Sequence, residues 1–399
     1  MKISMKKLCE YLIYLYIIII MMNGSTGNIA VKSIRIILLF FLTMNIIKSG
    51  KVYNSSYNIW AILFLGYNAM MINHSFSRTG AIAGFLTLLY VLVENLLIYQ
   101  FIIKNDILKG IMKSIILGSI LLACYVFIRN GLLVFINSRF VTDNSANTIG
   151  LYSSISIAFV LFLKEQFSKG NNTKYNIILI VNFLIILFSA SRKALVFALI
   201  ILAIYYISKS KNTLKLMKNI IIGAVLIASI LIFIFKNPFL YKLIGNRIET
   251  MIYGIQGEKT DSSTSARLKL INAGIKWFHN KPWFGHGPAN FRYLNLRYRN
   301  GNFYAHNNYI EMLVDYGIIG TVLYYYLYIL IIYNFFKRGN YKNKSNFVLL
   351  GILISILICE YGLVSYYNSI LQLILMILVF LVSNNNDEGK LNDENQKTN

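Results

Sequence analysis

The chain has 399 residues, of which 57% are hydrophobic and only 14% charged, and its net charge is +24. Soluble domains are about half apolar and about a quarter charged, so this composition excludes an ordinary soluble protein and favours an integral membrane protein. The lysines and arginines lie in short clusters between apolar segments. The charge therefore indicates contact with membrane lipids, and nucleic acid is not an expected partner.

Apolar segments follow one another along most of the chain, and many have about the length that an α-helix needs to cross a bilayer. We predict an all-α polytopic membrane protein with about twelve transmembrane helices and one long extracytoplasmic loop that contains short amphipathic helices. The predicted spans are residues 8–23, 29–47, 58–73, 81–103, 110–128, 147–163, 175–190, 193–207, 219–235, 317–336, 346–360 and 366–382.

Lysine and arginine are dense in every second connection between these spans, which marks those connections as cytoplasmic. Both termini are therefore predicted to be cytoplasmic, and the long basic loop is extracytoplasmic because long loops translocate largely regardless of charge. We predict four regions: a bundle of spans 1 to 9 over residues 1–235, a catalytic loop over 236–316, spans 10 to 12 over 317–382, and a disordered cytoplasmic tail over 383–399.

The loop over residues 236–316 contains three of the four histidines and two of the three tryptophans. Its apolar spacing predicts an amphipathic helix over residues 266–279, with Thr264 or Ser265 as the N-cap. Arg267 would then lie in the first helical turn, where a cation opposes the helix dipole and a bound anion would explain it.

A second feature of the loop is Gly285-His286-Gly287-Pro288, a turn that allows backbone amides to approach another group closely. Elsewhere, Glu94 lies within an apolar span, and burying its charge in lipid would be costly. We expect Glu94 to face the interior of the helix bundle, and we expect Lys32 and Arg35 to line a polar cleft.

The end of the loop carries the most specific pattern. His306-Asn307 is followed, after nine residues, by Gly317-Ile318-Ile319-Gly320. This pattern resembles the motif of O-antigen ligases, O-antigen and capsular polysaccharide polymerases and related lipid-linked glycan transferases. Ser191-Arg192 resembles the Ser-Arg signature of the same superfamily. Further residues stand in that superfamily's order upstream: Arg267, Trp277, Pro282, Gly285, Gly287 and Phe291.

The resemblance implies a metal-independent membrane glycosyltransferase of the bacterial cytoplasmic membrane, with no cofactor. Its implied partners are an undecaprenyl pyrophosphate-linked glycan donor and acceptor, with a flippase and a chain-length regulator as further candidates. A polysaccharide polymerase is the favoured function, and an O-antigen-type ligase is the alternative. A flippase or other transporter is disfavoured because the polar residues gather in a loop and not midway through the spans.

The reaction assigns roles to individual residues. His306 is the predicted catalytic base, since a neutral imidazole is available near pH 7. Arg192 and Arg267 are predicted to bind the pyrophosphate, because guanidinium groups make two-pronged contacts with its oxygens. Candidate glycan contacts are His286, Trp277, Trp283 and Arg292.

Each role has a structural alternative. Arg192 could contact lipid headgroups, Arg267 could anchor its helix to phospholipid phosphate, and His306 could cap the following helix. Trp277 and Trp283 could equally form an interfacial aromatic belt. A metal site is not predicted, because no acidic pair or histidine cluster has ligand spacing.

Overall fold

The computed structural model describes residues 4–23, 28–137, 140–141, 144–167, 170, 172–210, 213–255, 262–298 and 301–384. Regular structure in these residues is helical except for an antiparallel pair of two-residue strands, β1 (Phe140–Val141) and β2 (Asn144–Ser145). The all-helical prediction is therefore confirmed for the described part of the chain. Most of the predicted tail, from residue 385 onward, lies outside the described residues.

Among the described residues, six helices are long and apolar enough to cross a membrane, and the chain is a multi-pass membrane protein. Each of the twelve predicted spans overlaps a helix. The six helices that are not among the long apolar ones are shorter or less apolar, so the number of spans stays a prediction. The six long apolar helices are Ile29–Ser49, Arg78–Lys104, Leu108–Asn130, Ala146–Phe167, Met217–Lys236 and Asn308–Lys337.

Contacts divide the chain into two compact units, each built from separate stretches of sequence. The first unit consists of Met1–Phe41, Asp106–Asp261 and Tyr341–Ile358. Its helices are α1 (Met5–Asn23), the first part of α2 (Ile29–Ser49), α5 (Leu108–Asn130), α6 (Val134–Asn137), α7 (Ala146–Phe167), α8 (Thr173–Ser189), α9 (Arg192–Ser208), α10 (Thr213–Lys236), α11 (Pro238–Leu240), a π-helix (Tyr241–Gly245), α12 (Asn246–Ile255) and most of α16 (Phe347–Glu360).

The core of the first unit is α7, whose residues from Ile149 to Leu163 are buried between α5, α8 and α9. Small residues allow this packing: a Cβ added to Gly150 would lie 2.7 Å from the Cβ of Ala194 on α9. The Ser154 hydroxyl donates a hydrogen bond to the Ala194 carbonyl at 2.8 Å. The two helices are therefore held in close contact by shape and by a buried hydrogen bond.

The second unit consists of Leu42–Asn105, Ser262–Asn340 and Cys359–Asn399. Its helices include α3 (Ser56–Met71), α4 (Arg78–Lys104), α13 (Ser262–Asn280), α14 (Phe291–Arg297), α15 (Asn308–Lys337) and α17 (Ser369–Asn384). Helix α15 is central, with α3, α13 and α17 packed against it. The described part of residues 236–316 contains the short helices α11 to α14, and the assignment of this segment as an extracytoplasmic loop stays a prediction.

Aromatic side chains fill the contact between α3 and α15. The ring of Phe64 lies between Tyr316 and Tyr324, with ring centroids 5.7 and 5.6 Å apart. Trp60 is 2% exposed, and its Nε1 donates to the Leu323 carbonyl at 2.8 Å. Aromatic pairs at such distances add to the burial energy, so α3 gives α15 a rigid support.

Glu94 and Arg35 are buried within apolar helices, whereas Lys32 is exposed on α2. Glu94 is 2% exposed, which confirms that it faces the interior of its unit. Arg35 is 5% exposed, and its Nη2 donates to the Tyr16 hydroxyl at 3.4 Å. Both observations follow the expectation that charge avoids lipid by turning inward.

Candidate functional site

Helix α15 is interrupted at Gly317, which has φ 62° and ψ −167°. In a continuous α-helix the amides of Ile318 and Ile319 would donate to the carbonyls of Val314 and Asp315. At this break all four groups bond outside the helix. The predicted start of the tenth span, residue 317, coincides with the break.

Residues 282–287, which we call the insertion loop, supply the missing partners. Two of its carbonyls accept from the amides after the break, and two of its amides donate to the carbonyls before it. The four bonds are Ile318 N to Pro282 O (2.8 Å), Ile319 N to Trp283 O (3.2 Å), His286 N to Val314 O (2.8 Å) and Gly287 N to Asp315 O (2.8 Å). The insertion loop therefore completes the backbone of α15.

Glycine is required where the two backbones meet. A Cβ added to Gly317 would lie 2.4 Å from the Trp283 carbonyl oxygen, and one added to Gly285 would lie 2.6 Å from the Asp315 carbonyl oxygen. Gly285 also has φ 72°, in the left-handed region. The close approach predicted for the Gly285-His286-Gly287 turn is thus made to α15 of the same chain.

His286 is 6% exposed, and it also bonds the insertion loop to residues outside α15. Its carbonyl accepts from the Phe76 amide at 2.8 Å, and its Nε2 lies 2.9 Å from the Trp277 carbonyl oxygen. Because a carbonyl only accepts, Nε2 carries the proton. Burial lowers the pKa of His286, nearby Lys281 lowers it further, and the bond to Trp277 opposes both. The ring is therefore neutral at pH 7.

The two tryptophans proposed as glycan contacts have different surroundings. Trp277 is 6% exposed and packs edge-on against Phe291, with ring centroids 5.1 Å apart. It belongs to the apolar cluster that contains Leu270, Phe291, Leu294, Ala305 and Val314. Trp283 is 61% exposed on the insertion loop. Trp283 is accessible to an external partner, whereas Trp277 mainly supports the fold.

His306 is half-buried and has φ 54°, a left-handed conformation that is unusual for a residue with a Cβ. Its ring lies 4.0 Å, centroid to centroid, from the ring of Tyr304. The N-cap of α15 is Asn307, whose side chain accepts from the Ile310 amide at 3.1 Å. The alternative that His306 itself caps this helix is therefore wrong.

Glu311 fixes the chain on the other side of His306. Its Oε2 accepts from the Ala305 amide at 2.7 Å, and both Glu311 and Ala305 are buried. The histidine thus lies between two anchored neighbours, Ala305 and Asn307. Its unusual backbone conformation is set by the surrounding structure.

Arg267 lies in the second turn of α13, because this helix begins at Ser262. Thr264 and Ser265 lie inside the helix, so the predicted N-cap is wrong and the first-turn dipole argument for Arg267 does not apply. The predicted helix is otherwise confirmed, and it ends at Asn280, before Pro282.

Two arginines lie near Tyr304. Burial raises the pKa of Tyr304, the charge of Glu311 raises it further, and the charges of Arg267 and Arg292 oppose these effects. The two guanidinium groups and the Glu311 carboxyl therefore act electrostatically on Tyr304, whose ring lies 4.0 Å from the His306 ring. We call this set the His306 cluster, and its members are Arg267, Arg292, Tyr304, His306 and Glu311.

Arg192 belongs to the first unit, where it is the first residue of α9. Ala190, with φ 49°, ends α8 in a left-handed conformation, and Ser191 is the N-cap of α9. The Ser191 hydroxyl donates to Asn147 Oδ1 at 3.0 Å. Arg192 is half-buried, and its Nη1 donates to the Arg247 carbonyl at 3.0 Å. The Ser-Arg step therefore orients a guanidinium at the turn between two helices.

Sequence reasoning gave no role to either carboxylate on α15, Glu311 or Asp315. Asp315 is fully buried, its Oδ1 accepts from the Phe291 amide at 2.6 Å, and its Oδ2 accepts from the Tyr366 hydroxyl at 3.2 Å. Glu311 and Asp315 are four residues apart, which places them on one helix face. Two carboxylates spaced four residues apart, just before an apolar span, were the sequence feature that could have indicated this buried pair.

A further polar network holds the start of α15. The Asn308 Oδ1 accepts from the Ser365 amide at 3.0 Å. Glu360 is 0% exposed and accepts from the hydroxyls of Tyr325 at 2.8 Å and Tyr328 at 2.6 Å. A buried carboxylate with these donors is well satisfied. Asn308 and Glu360 thus fasten α15 to the segment before α17.

Among the described residues, no group of three or more histidine, cysteine, aspartate or glutamate side chains is placed to hold a metal ion. The independence from metal that the superfamily resemblance implies stays a prediction.

The long apolar helices define a multi-pass membrane protein. Residues 177–325 match the family model described as O-antigen ligase. This match confirms the predicted resemblance to the O-antigen ligase and polysaccharide polymerase superfamily, and it supports a glycan transferase of that type. All the predicted site residues fall within the matched segment. None of the curated proteins compared with the chain matches it.

Proposed function

We propose that the protein is a polysaccharide polymerase that acts at the outer face of the bacterial cytoplasmic membrane. It transfers a growing glycan from undecaprenyl pyrophosphate to a hydroxyl of a lipid-linked repeat unit. The observation that carries this proposal is the match of residues 177–325 to the O-antigen ligase family, because that segment contains Arg192, Arg267 and His306.

In the proposed reaction, the acceptor hydroxyl oxygen forms a bond to the anomeric carbon of the donor glycan. The bond between that carbon and the pyrophosphate oxygen breaks, and the lipid pyrophosphate leaves with the electron pair. The hydroxyl proton passes to the imidazole of His306. General-base assistance of this kind contributes roughly a hundred- to ten-thousandfold to a rate.

The departing pyrophosphate requires positive charge. Arg267 and Arg292 act on Tyr304 electrostatically, beside the His306 ring, so two guanidinium groups lie in the part of the unit that holds the proposed base. Arg192, oriented at the turn before α9 in the first unit, remains a predicted phosphate ligand. Guanidinium groups match phosphate oxygens in a planar fork, which a lysine ammonium does not.

The second candidate function is an O-antigen-type ligase, which would move the finished glycan to a different acceptor. The family match applies to ligases as well as to polymerases. The choice of acceptor distinguishes the two functions. A polymerase elongates glycan when a single lipid-linked repeat unit serves as both donor and acceptor, whereas a ligase requires a second acceptor.

The test uses purified protein in detergent with lipid-linked repeat units, and glycan length is measured on a gel. We expect wild-type protein to elongate the glycan and His306→Ala to lose transfer by roughly a hundredfold or more. His279→Ala is the matched control, because His279 is an exposed histidine of the same unit and is expected to keep wild-type activity.

Two further arms of this assay test the phosphate site. Arg267→Lys is expected to reduce the rate by on the order of a hundredfold, while Arg297→Lys, at an exposed arginine of α14, keeps it. A chelator is expected to leave wild-type activity intact. Full activity of His306→Ala, or loss of activity in chelator that added divalent metal restores, would contradict the mechanism.

A further inference from the structure

The insertion loop presents two adjacent large apolar side chains to its surroundings. Trp283 is 61% exposed and Phe284 is 56% exposed. The backbone around them is fixed, since the Trp283 carbonyl accepts from the Ile319 amide. Exposed aromatic pairs on a rigid backbone indicate an interaction site.

Backbone hydrogen bonds hold the insertion loop next to the ends of apolar helices. Pro282 and Trp283 are bonded to Ile318 and Ile319, which begin the second segment of α15. On the other side, the His286 carbonyl accepts from the amide of Phe76, which lies in the turn between α3 and α4. The loop is therefore held level with the ends of three apolar helices.

The aromatic pair is continuous with a lipid-facing surface. Exposed apolar residues recur along α15 at alternating spacings of three and four, which places them on one face of the helix. This helix is long and apolar enough to cross a membrane, so that face contacts lipid. The face consists of Ile319, Val322, Tyr326, Ile329, Tyr333 and Phe336. It begins at Ile319, the residue bonded to Trp283.

Positive charge accompanies the pair. Lys281 directly precedes the insertion loop, and Lys276 lies in the last part of α13; both are exposed. Phospholipid headgroups supply the complementary phosphates. Tryptophan is also enriched at membrane interfaces, where its apolar ring and polar N–H are both satisfied.

We propose that Trp283 and Phe284 insert into the headgroup region of the phospholipid bilayer and anchor the insertion loop there. This inference goes beyond the proposed function and does not depend on it. The anchor holds the break in α15, and with it the residues on either side of Gly317, at a fixed depth. The competing role for Trp283, a platform that stacks on sugar, would place the indole in water.

The experiment measures tryptophan fluorescence of the full-length protein in phosphatidylcholine and phosphatidylglycerol vesicles with brominated acyl chains. Bromine quenches only tryptophans that approach it. We expect Trp283→Phe to lose most of the lipid-dependent quenching. Trp277→Phe is the control and is expected to retain it, because Trp277 is 6% exposed inside its unit.

A gain-of-signal variant guards against misfolding of Trp283→Phe. Phe284→Trp places a second indole on the same loop and is expected to increase the quenched signal. If wild-type and Trp283→Phe proteins are quenched equally by brominated lipid, the proposal is wrong. Loss in Trp283→Phe of quenching by aqueous acrylamide, without loss of lipid quenching, would also overturn it and would favour the sugar platform.

Discussion

His306 adopts a backbone conformation that costs of the order of 1–3 kcal/mol for a residue with a Cβ. Such a conformation persists only when neighbouring contacts determine it. Here the neighbours are Ala305, bonded to Glu311, and Asn307, which caps α15. Both bonds act on the backbone next to His306, so they control the direction of its ring beside Tyr304.

Glu311 is accordingly predicted to be a positioning residue. Glu311→Leu leaves the buried Ala305 amide without an acceptor, and His306 can then relax from its left-handed conformation. We expect kcat to fall by roughly tenfold or more with little change in KM, since about 1.4 kcal/mol corresponds to a factor of ten. Initial rates of glycan transfer measure both constants.

The control for this prediction is Glu311→Gln, whose side-chain carbonyl still accepts from the Ala305 amide. It is expected to stay close to the wild-type rate. Equal loss in the two variants would show that the charge of Glu311, and not its hydrogen bond, is what matters.

The sequence allowed His306 to be identified because the superfamily motif is local. The roles of Glu311 and of His286 were not accessible in the same way. Glu311 acts on a residue that precedes its helix, and His286 bonds to Trp277 nine residues earlier. Which main-chain group a polar side chain will reach is decided by tertiary packing, and no spacing rule specifies it.

At the scale of elements, the interruption of α15 is the feature that organises the second unit. Gly317 and Gly320 both belong to the motif, and each allows a close approach. Gly317 meets Trp283, while a Cβ on Gly320 would lie 2.4 Å from the Tyr67 ring. The Tyr67 hydroxyl donates to the Tyr316 carbonyl at 2.7 Å, so another backbone group next to the break is also satisfied.

Gly317→Ala is predicted to displace the insertion loop. The added Cβ would lie 2.4 Å from the Trp283 carbonyl, and the positive φ adds strain of roughly 1–3 kcal/mol. We expect a lower melting temperature, loss of transfer and faster chymotrypsin cleavage after Phe284, an exposed residue of the insertion loop.

Gly66→Ala provides the comparison within the same unit. Gly66 lies in α3, it is exposed, and an added Cβ meets nothing within 4 Å. This variant is expected to keep activity and to gain up to about 1 kcal/mol of stability, because alanine favours a helix interior. Unchanged chymotrypsin cleavage in Gly317→Ala would disprove the role given to the break.

The sequence predicted that a span begins at Gly317 and that the Gly285-His286-Gly287 turn approaches another group. It did not indicate that these two features meet. The bonds join residues about thirty positions apart, and a helix broken at one glycine resembles an ordinary helix start when only hydropathy is read. The spacing of apolar residues indicates which side chains are buried. Backbone hydrogen bonds between residues so far apart in sequence depend on the assembled fold.

At the scale of the whole molecule, the two units are each assembled from distant stretches of sequence. The predicted regions, a bundle, a loop and a second bundle, are consecutive in sequence, because a hydropathy pattern locates apolar segments only along the chain. Contacts group the helices differently: α4 and α15 share a unit although the first unit's longest stretch, Asp106–Asp261, lies between them in sequence. The predicted regions describe topology and stay predictions.

The orientation of the chain is predicted from its basic connections and is tested by cysteine labelling. In a background without native cysteines, Asn302→Cys in the long loop is expected to react in intact cells with a membrane-impermeant thiol reagent. Lys342→Cys, in a basic connection, is expected to react only after the cells are opened. Both positions are exposed, and Asn302 avoids the positive φ of neighbouring Gly301. The reverse labelling pattern would invert the topology.

The broken helix also constrains how the protein is made. Translation runs from the N-terminus, so the insertion loop leaves the ribosome before the helix that it completes. Without the loop, two carbonyls and two amides at the entry to the span would lose their partners, at a cost of several kcal/mol for each group that water cannot reach. We predict that the loop is seated against α15 before this helix is released into lipid, which would give the biogenesis of this protein a fixed order.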